Sequence, residues 1–413
     1  MNRSKYLISS LSAPILIYPL YKYIHKDNKT YYTKQEVSKH NKENDIWVTY
    51  SNKVYDITKF IEYHPGGKEK ILEAAGKSIK PYWNKYPIHN ENQVKDILDT
   101  YLIGKLSDYK LEDDIPKVEI VQKNNINILK TKPFNAEPDL KKLRENYITP
   151  IKLWYSRNHH ELPNIDIKDY KLEVIYSKNN NTSKLKTYTY KDIFDKKTSI
   201  VNTIVNTIQC AGNRRKEFNE KTNKKVLGLN WEGGAISTAE FTGIYLRDIL
   251  KNILDTNQNF NYIQFIGYDE PFDGSIFINK EQAMNSDILL AYKMNDEYLT
   301  KETGYPLRVI VPGYSGAKNI KWLKKIILSD TESDSTWQKG VAYKHFGPNV
   351  TDFSQISEDD KKKIPTVEKL PVQSIICDID KNYKLENNKQ VLKSLFIKGI
   401  AYSGGGSNII RVE

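Results

Sequence analysis

An α+β multidomain protein is predicted by three observations. The chain has 413 residues, two to three times the usual length of a single domain. Residues 31–107 combine a β-hairpin with short helices and carry His64 and His89, 25 residues apart. Residues 133–365 alternate strand-type runs with helical pieces, and residues 366–413 are again β-type. The middle part is mixed α and β without the glycine fingerprints of dinucleotide or P-loop folds.

Hydrophobic content of 39% and charge of 28% are those of an ordinary soluble globular protein. The net charge of +12 comes from 55 lysines against only eight arginines. The lysines run through every segment, loops included, rather than clustering on one element, so no nucleic-acid partner is expected. A weak role for this charge in docking an acidic electron carrier is consistent with it. Two cysteines, Cys210 and Cys377, exclude a disulfide framework or a Cys-rich zinc site.

Residues 1–30 are basic and serine-containing, with no acidic residue before Asp27. This composition reads as a mitochondrial leader. The apolar run 7–24, broken by Pro14 and Pro19, reads as a sorting segment; a retained anchor or a secretory signal are the alternatives.

In residues 31–107, Thr33 and Glu36 form a capping box that opens a helix. Runs 46–50 and 53–57 around Ser51-Asn52 read as a hairpin. His64-Pro-Gly-Gly67 then leads into a helix over 68–75, and His89 precedes a second over 92–101. Pro65 fixes φ after the histidine, and Gly66-Gly67 allows a sharp turn. A lone His-Pro-Gly-Gly is usually a surface loop, but a second histidine at this distance suits two imidazoles facing across a flat cavity. An iron held by two such side chains has no open position and carries electrons. His40 is read as a surface helix residue. Residues 108–132 are charged and Asn-rich, a linker in which 118–121 could dock as a strand. Such a linker is either a mobile tether that raises the effective concentration of two redox sites or a passive spacer.

In residues 133–365, strands are expected at 170–176, 200–208, 262–267, 288–292 and 309–311. The clearest helix spans 243–254, with Leu246, Ile249, Leu250 and Ile253 on one face. Cys210 follows a strand and precedes Ala-Gly-Asn and two arginines. A free cysteine is more often a buried structural residue, but adjacent guanidinium charge favours the thiolate, which is the form that binds metals. Tyr155-Ser-Arg-Asn-His159, Arg308 and the glycine-containing loop 311–318 suit an anionic cofactor. With arginine so scarce, Arg157, Arg214, Arg215 and Arg308 are read together as anion-binding.

These motifs carry a resemblance. Residues 31–107, with Ile46-Trp-Val-Thr49, Val54-Tyr-Asp-Ile57, His64-Pro-Gly-Gly67 and His89, resemble a cytochrome b5 domain. That implies haem b with His64 and His89 as axial ligands. Pro133-Phe-Asn-Ala-Glu-Pro138, Tyr147-Ile-Thr-Pro150, Arg157-Asn-His159, Cys210-Ala-Gly-Asn-Arg-Arg215, Gly234-Ala-Ile-Ser-Thr-Ala239 and Lys321-Trp-Leu323 resemble the molybdopterin domain of the sulfite oxidase family. Nitrate reductases share that domain, but they place it before the cytochrome b5 segment and add a flavin domain. The order here is the animal-type sulfite oxidase order.

The resemblance implies that sulfite becomes sulfate at a molybdopterin centre, with electrons leaving singly through haem b to cytochrome c in the mitochondrial intermembrane space. Cys210 would ligate molybdenum. Arg157 would bind the substrate anion, Tyr343 would bond in the same pocket, and Arg215 would add positive charge. Tyr155, Ser156, Arg157, Asn158, His159, Asp269, Arg308, Asn319, Ile320 and Lys321 would hold the cofactor.

Three departures from the family pattern bear on this. Leu227 stands where a lysine is usual, with Lys224 and Lys225 nearby, and Thr303 where a histidine is usual. Residues 366–413 match only the opening of an immunoglobulin-like dimerisation domain and can supply about three of its seven strands. An incomplete sandwich, weakened sulfite binding and impaired homodimerisation are therefore expected. Two other readings stand beside sulfite oxidation. One is a molybdenum enzyme for another small oxyanion or S-oxide; the other is a non-catalytic electron carrier on a degenerate molybdopterin scaffold.

Overall fold

The computed structural model describes residues 30–85, 89, 92–109, 126–179, 181–193, 200–223, 226–269, 273–340, 343–347, 349–350, 352–386, 389–405 and 407–413. Residues 1–29 of the expected leader, the possible strand at 118–121, and Lys224 and Lys225 lie outside the described residues. The chain divides into two compact units, Met1–Pro116 and Lys117–Glu413.

The first unit is built on strands β1 (Tyr31–Tyr32), β2 (Asn41–Lys42), β3 (Asp45–Tyr50), β4 (Lys53–Asp56) and β5 (Leu102–Leu106), in the order β1-β5-β4-β3-β2. The capping box forms as the sequence predicts. Thr33 accepts from the Glu36 amide at 3.1 Å, and the Thr33 amide donates to the Glu36 carboxylate at 2.6 Å. Ile46, Val48 and Tyr55 point inward from the hairpin onto Ile57, Ile61, Ala74, Ile79 and Trp83. His40 is not the helical surface residue expected from sequence. It follows the short helix Lys34–Val37, stacks on Trp47 at 3.6 Å between ring centres, and bonds Asp45 at 2.7 Å through Nδ1. The helix ends there because Ser38 closes it as C-cap.

The second unit contains β6 (Ile126–Lys130), β7 (Asn135–Pro138), β8 (Lys171–Lys178), β9 (Asn181–Thr189), β10 (Asn202–Gln209), β11 (Ile236–Tyr245), β12 (Tyr262–Gly267), β13 (Asp273–Phe277), β14 (Leu289–Met294), β15 (Glu297–Tyr298), β16 (Arg308–Ile310) and β17 (Leu323–Ser329). One sheet runs β13-β12-β17-β8-β9, with β17 and β8 parallel. The other runs β10-β11-β14-β15, with β16 also paired to β14. β6 and β7 form a separate pair. All five expected strands are present, each within two residues of its predicted ends.

The helix expected over 243–254 is shorter, Leu246–Lys251. Leu246, Ile249 and Leu250 are buried, as their spacing requires. Residues 243–245 belong to β11, because Gly243 pairs with Ala291 at a bulge where the two backbones touch. A side chain at Gly243 would collide with the Leu290 carbonyl. Gly243→Ala is therefore expected to part β11 from β14 and cost about 3 kcal/mol, the upper end of overpacking penalties, read as a lowered thermal midpoint.

Residues 366–413 hold two long strands rather than about three short ones. They are β18 (Gln373–Glu386) and β19 (Lys389–Tyr402), paired antiparallel along their whole length. The continuous β-type run 389–402 has no turn signal to divide it, so it stays one strand. The ribbon leaves large apolar side chains open on both of its faces, among them Ile379, Leu395 and Ile397 on one and Phe396 on the other. The base of the ribbon is seated. Arg144 and Lys141 hold the buried Asp378 carboxylate, at 2.5 Å and 3.5 Å. The opposing cations keep that carboxyl below its usual pKa.

Candidate active site

In the first unit, His64 caps a single 3-10 turn, Ile61–Tyr63, and precedes the helix Lys68–Leu72. Gly67 sits at φ +88, a conformation that favours glycine. A side chain at Gly66 would come within 2.9 Å of the His64 ring. His64 Nδ1 lies 3.0 Å from the Gly67 carbonyl. A carbonyl only accepts, so Nδ1 carries the proton and Nε2 keeps its lone pair for a ligand. The His64 and His89 rings face one another, 6.0 Å between centres and 9° from parallel. Trp83 backs His89 at 5.5 Å, and Phe60 flanks His64 at 6.0 Å.

In the second unit, β10 delivers Cys210, which is buried and whose amide bonds the Ala235 carbonyl at 2.9 Å. The following turn is closed by Asn213, whose side chain accepts from the Ala235 amide and donates to the Gly233 carbonyl. Arg215 then opens the helix Arg215–Thr222. Its guanidinium lies between two glycines. A side chain at Gly212 would collide with it, and one at Gly228 would reach within 2.9 Å of its central carbon. Its one hydrogen bond described is to the Leu229 carbonyl. Burial lowers the Arg215 pKa from its ordinary value, Cys210 opposes that shift and Arg157 adds to it.

Arg157 and Tyr343 converge on one atom. Arg157 Nη2 lies 2.7 Å from His159 Nε2, and the Tyr343 hydroxyl lies 2.8 Å from it. A guanidinium only donates, so Nε2 is unprotonated and His159 is neutral. Burial first, then Arg157, Lys321 and His160, push the His159 pKa down to about 2. Burial and Cys210 hold the Tyr343 hydroxyl well above its usual range. Arg157 also donates to the Asn135 side chain at 3.1 Å and the Asn158 carbonyl at 2.7 Å.

The unfolded chain takes up a proton on this histidine near 6.5 and the folded cofactor-free chain does not. Stability should therefore be full above that pH and fall by about 1.4 kcal/mol per unit below it. Denaturant titrations of cofactor-free protein between pH 7 and 5 should show that slope, and His159→Asn should flatten it.

The same cleft is lined by Tyr155, Cys210, Asp269, Arg308, Ile320 and Lys321. Among the described residues, two buried polar atoms in it have no partner: Asp269 Oδ1, an acceptor, and Arg308 Nε, a donor. Arg308 otherwise donates to the Thr303 and Asn319 carbonyls, and burial lowers its pKa to about 10. Burial raises the Asp269 carboxyl while Lys321 pulls it down.

The comparisons with known proteins agree with this geometry. A model of the cytochrome b5-like haem/steroid binding domain matches residues 33–107, and the oxidoreductase molybdopterin binding domain matches 159–337. The Mo-co oxidoreductase dimerisation domain matches 364–413. Mitochondrial sulfite oxidase of Homo sapiens is 37% identical over 401 residues, covering 92% of this chain and 69% of the relative. That of Drosophila melanogaster is 38% identical, covering 92% and 66%, and the Gallus gallus sulfite oxidase is 35% identical, covering 92% and 82%. The chain belongs to the sulfite oxidase family. It spans about two thirds of the length of the human and fly relatives.

As a sulfite oxidase family member the chain takes molybdopterin and haem, and the residues present fit both. An unpartnered acceptor at Asp269 suits the N–H groups of a pterin, and an unpartnered buried guanidinium nitrogen suits its anionic part. The facing imidazoles suit a flat haem.

The expected cofactor residues divide into two kinds. Asp269 and Arg308 offer atoms to the cleft. Asn319 does not: its side chain accepts from the Val311 amide and donates to the Ser315 and Tyr314 carbonyls, bracing the loop 311–319. Lys321 bonds the Arg157 carbonyl, the Asn158 side chain and the Glu302 carbonyl. Asn158 itself bonds the Asn135 side chain and the Phe134 carbonyl. Arg214, grouped by sequence with the anion binders, points away, because Glu217 and the Ser374 carbonyl take its guanidinium. Leu227 is exposed, and Thr303 is buried with its hydroxyl on Thr300.

Sequence reading missed Asn135, which ties β7 to residues 157–158, and Glu137, a buried carboxylate accepting from the amides of Glu232, Gly233 and Gly234. Both lie inside a quoted motif, but nothing local marks a side chain whose partners are 22 or 97 residues away.

Proposed function

We propose that this chain oxidises sulfite to sulfate, SO3²⁻ + H2O → SO4²⁻ + 2H⁺ + 2e⁻, and passes the electrons singly through haem b to cytochrome c. The observation that carries this reading is one cleft lined by Cys210, Arg157 and Tyr343, with Arg215 close enough behind it to feel the charge of all three. Molybdopterin, when bound, supplies the metal that exchanges an oxygen atom and two electrons with the substrate. Cys210 supplies the thiolate that would hold that metal from the end of β10. Arg157 and Arg215 supply fixed positive charge for a dianion in a site that excludes most water, where such charge acts most strongly. Neutral His159 accepts from Arg157 and from the Tyr343 hydroxyl and so holds both side chains in register, leaving the Arg157 charge already oriented when the substrate arrives. His64 and His89 would hold the haem iron from both sides, closing it to oxygen chemistry and leaving electron transfer.

In this reading residues 1–30 are a mitochondrial leader, 31–107 the haem domain, 108–132 a tether, 133–365 the molybdopterin domain and 366–413 an incomplete dimerisation domain. The relatives named as mitochondrial support a mitochondrial location, and the intermembrane space is the compartment we propose within it. A second reading, another small oxyanion or S-oxide as substrate, is favoured by the exposed apolar Leu227 beside the Arg215 slot.

Anaerobic mixing of the loaded protein with sulfite, watched in the haem bands, tests the proposal. Reduction by sulfite is expected. Haem that responds to dithionite but not to sulfite, at full molybdenum loading, would refute it.

A further inference from the structure

Arg214 is one of seven non-glycine residues at positive φ among the described residues, with φ 65 and ψ 20. A bulky side chain rarely adopts this conformation, and it persists only where the surroundings enforce it. Here they do so from two sides. Glu217, one turn along the helix, grips the guanidinium with both oxygens, at 2.6 Å and 2.9 Å. The Ser374 carbonyl, at the base of β18, accepts from Nη1 at 3.0 Å. The ribbon touches the same region twice more: Ile375 packs where a side chain on Gly233 would stand, and the Tyr402 hydroxyl reaches the Thr207 carbonyl of β10. Gly233 is in turn bonded to Asn213.

The left-handed step at Arg214 is what directs the chain from the Cys210 turn into the helix that begins at Arg215. Turning that residue out of the left-handed region would swing the Arg215 side chain from between Gly212 and Gly228. We infer that Arg214 is a positioning residue, through which the C-terminal ribbon sets the aim of Arg215 at the substrate anion. The role of Arg215 in that sentence rests on the sulfite reading above.

Two substitutions separate this role from simple attachment of the ribbon. Arg214→Ala loses both grips and keeps the cost of a left-handed conformation, so the turn relaxes. Arg214→Gly loses the same grips, but glycine adopts positive φ freely, so the turn stays. In full-length loaded protein the alanine variant should raise KM for sulfite about tenfold with kcat within about twofold, the signature of lost binding. The glycine variant should stay within about threefold of wild type in KM. Amide hydrogen exchange, which needs no turnover, should quicken at residues 211–216 in the alanine variant alone, and at 373–376 in both. Equal KM and equal exchange at 211–216 in the two variants would overturn the inference. If the wild type does not oxidise sulfite, the sulfite reading fails, and the exchange contrast still decides whether Arg214 holds the turn.

Discussion

Cys210→Ser should abolish reduction of the haem by sulfite while leaving the haem itself bound. The loss expected is on the order of a thousandfold or more, as for other groups that act as one member of a unit. The hydroxyl is smaller, harder and far less acidic than the thiol, so it is a poor replacement as a metal ligand. The substitution is nearly isosteric at a buried strand end, and the Cys210 amide still bonds the Ala235 carbonyl. Folding should therefore persist, read as an unchanged melting transition of cofactor-free protein. The haem spectrum supplies the control, because His64 and His89 belong to the other compact unit. Full sulfite-driven haem reduction in this variant would remove Cys210 from the chemistry.

Replacing a haem-facing histidine should have the opposite pattern. His89→Ala leaves His64 facing an opening where the second ring stood 6.0 Å away. Haem should bind loosely or drop out, and electron delivery to cytochrome c should fall by about two orders of magnitude or more, on the scale seen when a metal site loses its support. Sulfite oxidation assayed with a small artificial acceptor should survive. His64→Ala should match it. His40→Ala, which removes only the stacking on Trp47 and the bond to Asp45, should leave the haem spectrum unchanged. A haem spectrum that survives in His89→Ala would dismiss this ligand pair.

The two halves of the site were legible to different degrees. The His-Pro-Gly-Gly loop announces itself because its constraints are local: proline fixes one angle, glycine frees the next, and the histidine lies between. Cys210 and its neighbours are also consecutive, so their motif could be read. Sequence does not say which way a side chain points. Arg214 and Arg215 are adjacent and alike, yet one lies in a slot beside Cys210 and the other bonds Glu217 and the ribbon. The backbone angle at Arg214, held by a partner 160 residues away, makes the difference. The helix expected from 243 failed for a related reason: the apolar spacing was right, but Gly243 was claimed by a strand pairing with Ala291. The single-strand character of β19 was open to reading in its unbroken β-type run, and the apolar side chains on both faces of the ribbon follow from the same run.

The partners of the cleft's arginines have a consequence for the protein before any substrate arrives. Arg144, Arg214 and Arg247 each hold a carboxylate. Arg157, Arg215 and Arg308 are instead held by carbonyls, an amide oxygen and a neutral imidazole. Hydrogen bonds of that kind fix direction without cancelling charge, so the charge of Arg157 reaches Arg215 unopposed by a carboxylate. Such an arrangement is a stored electrostatic load, and an anion entering it discharges that load. Cofactor capture is then a folding event in part: the counter-ion that completes the enzyme also relieves the interior that waits for it.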